Sequence, residues 1–267
     1  MENILLVGNG INRVHSSRNS WECILNSIVN NINNNFDWKL PRYDNELFPV
    51  YFERIKKLII ETNPESCDFL EEEFRKHVEE MRPNNLHSLI GSKFEIILTT
   101  NFDFCIEDSI ENELSGIAAL KIDIKHNFLT TFTQKGKHRI YHVHGSIKSA
   151  DPIILGSNDY LSFKNDINRY KSDPKLYGFS WFKHFLNDTV HIMAYDLSYH
   201  EETIGFVLNH RAKLIIDNQC QNEIFYYIRK KDEDNALSLE LNKLFINVVT
   251  NDSEDFYTFY RTVIESI

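Results

Sequence analysis

The sequence predicts an α/β fold: one domain over residues 1–267, built on a doubly wound, mostly parallel sheet, with a helical insertion or cap at about residues 20–91. Three observations carry this expectation. Apolar runs of strand length alternate with stretches of helical periodicity as far as the carboxyl terminus. Three of those runs, residues 4–7, 94–98 and 139–143, each break into small or polar residues, and a long helical excursion separates the first two. Ligands of open α/β sheets bind at the carboxyl ends of the strands, so the three polar loops point to a single site assembled from distant segments.

Residues 3–8 form the first strand, and Gly8 and Gly10 follow at the spacing of a backbone that turns sharply and approaches a phosphate. A helix beginning near Ser20-Trp21 would offer its amides and positive dipole end to that anion; a plain glycine turn is the simpler alternative. Residues 20–91 read as helical, with a loop at the Asn-rich residues 30–35 and punctuation at Pro64 and Pro83. Leu47, Tyr51, Ile55, Leu58 and Ile59 make one core-facing stripe, and Leu70, Phe74, Val78 and Met81 another. Glu71-Glu72-Glu73 reads as a solvated face.

Residues 94–98 form a strand, and Thr99-Thr100-Asn101-Phe102-Asp103 opens a helix running to about Glu113. Asn101 and Asp103 are good helix caps, and capping alone is one reading of them; in the first turn after a buried strand a side chain can also face a ligand, which is the other. Residues 118–143 hold a further strand and a polar turn at 134–137, leading into Arg139 and on to His144. Strand alternation sends His142 and His144 to the same side. No third ligand lies close in sequence, so the pair is read as His144 reaching a cavity beside Gly145, with His142 a packed or hydrogen-bonded neighbour. Residues 152–156 are expected as a brief strand and Asn158-Asp159-Tyr160 as a helix start. Phe179, Trp181, Phe182 and Phe185 are expected in the core. Residues 190–194, 213–216, 224–228 and 245–249 complete the strands before a closing helix.

Composition limits the function classes. The chain is 42% hydrophobic with a net charge of -10, so no broad nucleic-acid footprint or polybasic membrane patch is supported. No apolar run approaches the roughly 20 residues of a bilayer span, and no basic-then-apolar leader precedes the strand that starts at Asn3, which leads to an expectation of a cytoplasmic protein. Cys23, Cys67, Cys105 and Cys220 are widely spaced, without a Cys-x-x-Cys pair, so neither a zinc module nor a disulfide framework is expected; a reactive Cys105, close after Asn101 and Asp103, is the less favoured reading.

Gly8-Asn9-Gly10-Ile11-Asn12-Arg13, Thr99-Thr100-Asn101-Phe102-Asp103 and His142-Val143-His144-Gly145-Ser146 resemble, in order and rough spacing, the signature loops of the sirtuin-like superfamily. Ile153-Ile154-Leu155-Gly156-Ser157-Asn158-Asp159-Tyr160 looks like its bacterial defence-associated branch. The resemblance covers residues 4 to about 210 and implies a Rossmann-like sheet, NAD+ as ligand and the bond between nicotinamide and ribose as the reacting bond.

Carried over by position, Gly8 and Gly10 lie against the pyrophosphate, with Asn9, Asn12, Arg13, Thr100 and Gly145 lining the cofactor. Asn101 contacts the nicotinamide ribose and orients the nucleophile, Asp103 holds its loop or approaches nicotinamide, and His144 is the base. An oxocarbenium-like centre needs orientation of a weak nucleophile and modest proton transfer, which an amide and an imidazole supply. Two departures matter. The zinc module of deacylating sirtuins is missing from the cysteine spacing, and Ala194-Tyr195-Asp196-Leu197-Ser198 stands where the family usually has a glycine and a serine. There Ala194 would narrow the approach and Asp196 would accept ribose hydroxyls.

The resemblance implies an NAD+ glycohydrolase without a metal, acting as an NAD-depleting effector in bacterial anti-phage defence. It would be held silent as a homo-oligomer or by a separate sensor protein. A non-catalytic NAD or ADP-ribose sensor and an ADP-ribosyltransferase are the alternatives.

Overall fold

The computed structural model describes residues 2–36, 43, 46–63, 68–110, 114–118, 129–148, 153–172, 180–197 and 202–267. Eight strands form one sheet: β1 (Asn3–Val7), β2 (Ile96–Thr99), β3 (Leu114–Ala118), β4 (Phe132–Lys135), β5 (His138–His142), β6 (Thr189–Met193), β7 (Ile224–Arg229) and β8 (Asn247–Asn251), in the order β3-β4-β5-β2-β1-β6-β7-β8. The run from β5 to β8 is parallel throughout, and β3 and β4 add an antiparallel edge. Without that hairpin, the parallel strands in chain order stand as 3-2-1-4-5-6. This is the doubly wound arrangement, with its reversal of direction between β1 and β6.

The apolar patterning explains why β1 sits at the centre. Ile4, Leu5, Leu6 and Val7 are all fully buried, as a parallel strand covered on both faces requires. Ile4 and Leu6 join Leu98, Val143 and Ile192 in one core, whereas Leu5 and Val7 join Ile97, Ile140 and Met193 in the other. The first core is closed by α6 (Ser157–Ser172), α7 (Trp181–Asn187), α8 (Glu202–Ile216) and α9 (Asn235–Lys243), and the second by α4 (Asn85–Lys93), α5 (Cys105–Ser109) and α10 (Phe256–Ser266). The expected aromatic core is present in Trp181, Phe182 and Phe185; Phe179 lies outside the described residues.

The helical excursion divides in two. Helices α1 (Trp21–Phe36), α2 (Phe48–Thr62) and α3 (Phe69–Glu79) build a third core of their own, with Leu25, Ile28, Phe52, Ile55, Phe74 and Val78, whereas α4 packs on the sheet as the crossover helix between β1 and β2. Three residues from outside the cap enter its core: Phe102, Ile153 and Leu155. Phe102 meets Phe74 edge-on at 5.6 Å and Trp21 at 5.1 Å between ring centroids.

Several local expectations are overturned. The loop expected at residues 30–35 is the last part of α1: Ile32 continues the stripe of Leu25 and Ile28 into the cap core, and Asn30 and Asn31 take exposed positions. Asparagine costs at most about 0.7 kcal/mol per helical residue, less than the roughly 1.5–3 kcal/mol gained by burying an isoleucine. The strand expected at 213–216 is the final turn of α8, whose buried Ile204, Val207, Leu208, Arg211 and Ala212 recur at helical spacing. The brief strand expected at 152–156 is absent from the sheet. Residues 153–155 instead bridge two cores, with Ile154 in a sheet core, Ile153 and Leu155 in the cap, and the Ile154 amide bonded to the His144 carbonyl. Helix α5 starts at Cys105 and ends at Ser109, so Asn101 and Asp103 precede it, and β3 follows where the helix was expected to end. The last strand begins two residues late because Phe245, at φ 58°, turns the chain after α9. Cys67, Pro64 and Pro152 lie outside the described residues.

Candidate functional site at the switch point

Four loops leave the carboxyl ends of four neighbouring strands, β5, β2, β1 and β6, and hydrogen bonds join each to the next. The loop after β1 leans on the loop after β6: Gly8 N donates to Met193 O at 3.2 Å and Gly10 N to Ala194 O at 2.8 Å. A Cβ on Gly8 would lie 2.6 Å from the Ala194 carbonyl oxygen and one on Gly10 2.8 Å from it, so both glycines are required by backbone contact between the loops. Ala194 itself has φ 54°, a left-handed conformation that costs an L-residue about 1–2 kcal/mol.

The loop after β2 is fixed to β1. Thr100 N and the Thr99 hydroxyl both donate to Val7 O, and Asn101 N donates back to Thr99 Oγ1. Asn101 is 2% exposed; its amide nitrogen makes only a long 3.5 Å contact to Gly8 O, and its side-chain oxygen has no hydrogen-bond partner among the described residues. A buried acceptor left unpaired costs about 1–3 kcal/mol, which marks Asn101 as a group awaiting a donor.

Asp103 has a different use. Its Oδ1 accepts from Cys105 N at 2.9 Å and its Oδ2 from Asn12 Nδ2 at 2.7 Å, while Asn12 Oδ1 faces His87 Nε2 at 2.9 Å. His87 Nδ1 accepts from Asn84 N at 3.0 Å, which fixes the tautomer: Nε2 carries the proton and donates to Asn12. Burial pushes the His87 imidazole down, against the opposing charge of Asp103. Asp103 therefore holds its loop to the loop after β1. Asn12 also donates to Asn9 Oδ1 at 2.9 Å, and Asn9 Nδ2 donates to Asn19 O at 2.7 Å, so both asparagines shape their own loop.

The two histidines of the third motif part company. Strand β5 ends at His142, and the chain turns at Gly145, whose φ of 81° favours glycine. His142 stays on the α5 side: Nδ1 donates to Asn101 O at 2.8 Å, Nε2 sits 2.8 Å from Glu107 Oε1, and the ring stacks on Phe104 at 5.2 Å. His144 lies against α6 on the other face, edge-on to Tyr160 at 5.5 Å and to Phe163 at 6.4 Å. The expectation that both rings point one way fails because the strand period ends between them. Glu107, 2% exposed, was not singled out from sequence, although it is an acidic residue four positions after Asp103 that directly follows the apolar Phe104-Cys105-Ile106.

On the far side of the switch point, Asp196 is exposed beside Tyr226, whose hydroxyl donates to Tyr195 O at 3.2 Å and is pushed up to about 12 by burial and by the charge of Asp196. Arg13 is exposed near Tyr260; Ser198 lies outside the described residues. The amino end of α1 belongs to the cap, where the Ser20 hydroxyl accepts from Cys23 N at 3.1 Å.

His87, Asp103 and Cys105 place donor atoms within 4.8 Å of one another. The set does not suit a cation: His87 and Asp103 are engaged with Asn12, Asn84 and Cys105 N, and burial with the charge of Asp103 drives the Cys105 thiol far up, away from the thiolate a metal or a nucleophilic role needs.

A family model described as a SIR2-like domain matches residues 95–249, more than half of the chain, from the strand before Asn101 to the last strand. The chain belongs to the SIR2-like family. No curated protein matches it. SIR2-like domains bind NAD+ and are often NAD-using enzymes. The matched part of this SIR2-like domain holds the loops of Asn101, His142, His144 and Asp196; the Gly8 loop and the cap precede it. Among the described residues, no helix is long and apolar enough to cross a membrane.

Proposed function

We propose that this SIR2-like domain is an NAD+ glycohydrolase that cleaves the bond between the nicotinamide nitrogen and the ribose C1′, adding water to release nicotinamide and ADP-ribose. The observation that carries this reading is the buried, unpartnered side-chain oxygen of Asn101, at the carboxyl edge of the sheet in the loop after β2, beside the central strand β1. In this reading Asn101 orients the ribose and the incoming water, and His144 takes the water's proton as C1′ accepts the new bond. Gly8, Gly10, Asn9, Asn12, Arg13, Thr100 and Gly145 form the wall along the pyrophosphate and nicotinamide ribose, Asp103 holds the Asn101 loop, and Asp196 takes the adenosine-side ribose. No metal takes part, in keeping with the engaged His87-Asp103-Cys105 cluster.

The same proposal makes the chain a single domain with a cap inserted between β1 and β2, acting in the cytoplasm as an NAD-depleting effector of anti-phage defence, silenced by self-assembly or by a separate sensor. The motif from Ile153 to Tyr160 supports the defence role. The decisive assay incubates purified protein with NAD+ and follows nicotinamide release with no acceptor present. Release supports hydrolysis. Binding without release, alone and with candidate partners, replaces hydrolysis with an NAD-sensing module, and release only when a macromolecule is modified replaces it with ADP-ribosyl transfer.

A further inference from the structure

The Asn101 side chain is aimed by its backbone, because its own amide makes only the 3.5 Å contact to Gly8 O. That backbone has two anchors: the Thr99 hydroxyl on the Asn101 amide and His142 Nδ1 on the Asn101 carbonyl. His142 in turn rests on Glu107, a carboxylate 35 residues earlier in the chain, and both side chains are buried, at 7% and 2% exposure. A carbonyl oxygen only accepts, so Nδ1 must carry a proton, while Nε2 faces a carboxylate oxygen. The geometry is satisfied by an imidazolium beside a carboxylate, or by a neutral Nδ1–H imidazole accepting from a carboxylic acid; either way the pair holds one proton more than a neutral histidine and an ionised glutamate. Buried ion pairs are seldom worth more to stability than apolar packing, so a positional role accounts for this one better than a stabilising one.

We propose that His142 and Glu107 form a proton-holding positioning pair that clamps the Asn101 carbonyl and so aims the Asn101 amide into the site. Once the shared proton is lost, the remaining one stays between Nε2 and the carboxylate, where attraction is strongest. Nδ1 then turns a lone pair toward the Asn101 carbonyl, and the loop is pushed out of register. Displacement by about 1 Å at such a group costs on the order of a hundredfold in rate. Burial alone would push the His142 imidazole down; the charge and hydrogen bond of Glu107, with the Asn101 carbonyl and Asp103, override it and raise it. The other titratable groups around the pair are the neutral His87 on α4 and the Cys105 thiol on α5, and the charged ones are Asp108 on α5, Lys135 on β4, whose amine donates to the Glu107 backbone carbonyl, and Lys148, which lies over the Phe104 ring at 4.1 Å and 3.7 Å from Asp108.

The role of the clamp rests on Asn101 acting in the proposed hydrolysis, so the first measurement does not use turnover. In protein labelled with nitrogen-15 at histidine, the His142 Nδ1 is expected to stay protonated from about pH 6 to about pH 8, across the ordinary imidazole range. A His142 that is neutral and protonated only on Nε2 at about pH 7 would overturn the proposal whatever the protein does to NAD+. The second measurement compares nicotinamide release by the wild type and Glu107→Gln between about pH 7 and about pH 9. A glutamine amide donates to Nε2 and leaves Nδ1–H on the carbonyl without any extra proton. The ratio of turnover at the higher to the lower pH should therefore rise at least about threefold over the wild type. An alkaline decline identical in both proteins sinks the idea. A wild type that never cleaves NAD+ counts against the hydrolase reading alone, and the nitrogen measurement then decides the pair.

Discussion

On its two sides, the segment from Asn101 to Asp103 is held by buried histidines whose surroundings shift them in opposite directions. Toward the loop after β1, His87 is neutral, and a chain of ordinary hydrogen bonds runs from Asn84 N through His87 and Asn12 to Asp103. Toward β5, His142 is held up by Glu107 and donates to the Asn101 carbonyl. Both rings are almost fully buried, so burial does not set their charge. What differs is what faces the second nitrogen: a backbone amide at His87, which forces a lone pair, and a carboxylate at His142, which draws a proton. The His87 side fixes where the loop lies, and the proton-holding His142–Glu107 side fixes how its peptide is turned.

The largest effect is expected at the site both sides support. His144→Ala should lower NAD+ turnover by about a hundredfold and Asn101→Ala by at least about tenfold, with thermal midpoints unchanged. Wild-type rates in both folded variants would remove the site. Next comes the neutral side: Asp103→Ala leaves one hydrogen of the Asn12 amide and Cys105 N without their acceptor and should cost about 2 kcal/mol in urea denaturation. An unshifted midpoint would mean that the relay holds nothing.

The two sides also separate by pH. His87 is lowered by burial, and His191, lowered to about 4 by the same cause, behaves alike. Both stay neutral in the fold while the unfolded chain protonates, so stability should fall as pH drops below about 6.5. His142 is raised, so its contribution is complete below about pH 6.5 and disappears as pH rises through its folded value. Replacing His142 by Gln should flatten only the alkaline side of a stability–pH curve, and replacing His87 by Gln only the acid side; one curve altered by both would merge the two regions.

Smaller still, Ala194→Gly should stabilise the protein by about 1 kcal/mol by relieving the left-handed backbone at φ 54°. A chelator should change neither the melting temperature nor NAD+ cleavage, and elemental analysis should find less than one metal per chain. Stoichiometric zinc lost together with the fold would reopen the cluster around Cys105.

The central strands were legible because β1 and β2 are continuous apolar runs and β6 is one broken only at His191, the pattern that burial on both faces demands. The placing of Asn101 after β2 and of His144 before Gly145 at the carboxyl edge of the sheet was legible for a related reason: each directly follows an apolar run of strand length. Residues 213–216 misled because a lysine followed by three apolar residues reads alike in a strand and in a last helical turn; only Arg211 and Ala212, already buried on α8, decide it. Glu107 was illegible because its partner lies beyond the β3–β4 hairpin, and no periodicity links a helix residue to a strand residue brought beside it by the sheet order.

Asn101 and Phe102 are consecutive residues that belong to different bodies, the first at the carboxyl edge of the sheet and the second in the aromatic heart of the cap between Trp21 and Phe74. One peptide bond joins them. The cap is thus the outer wall to which the loop after β2 is nailed, and Ile153 and Leu155, in the chain that follows β5, add two more nails. A cap trimmed away, or pulled by anything that grips it, takes hold of the loop at its midpoint. In this protein the overhang and the floor are one piece of carpentry.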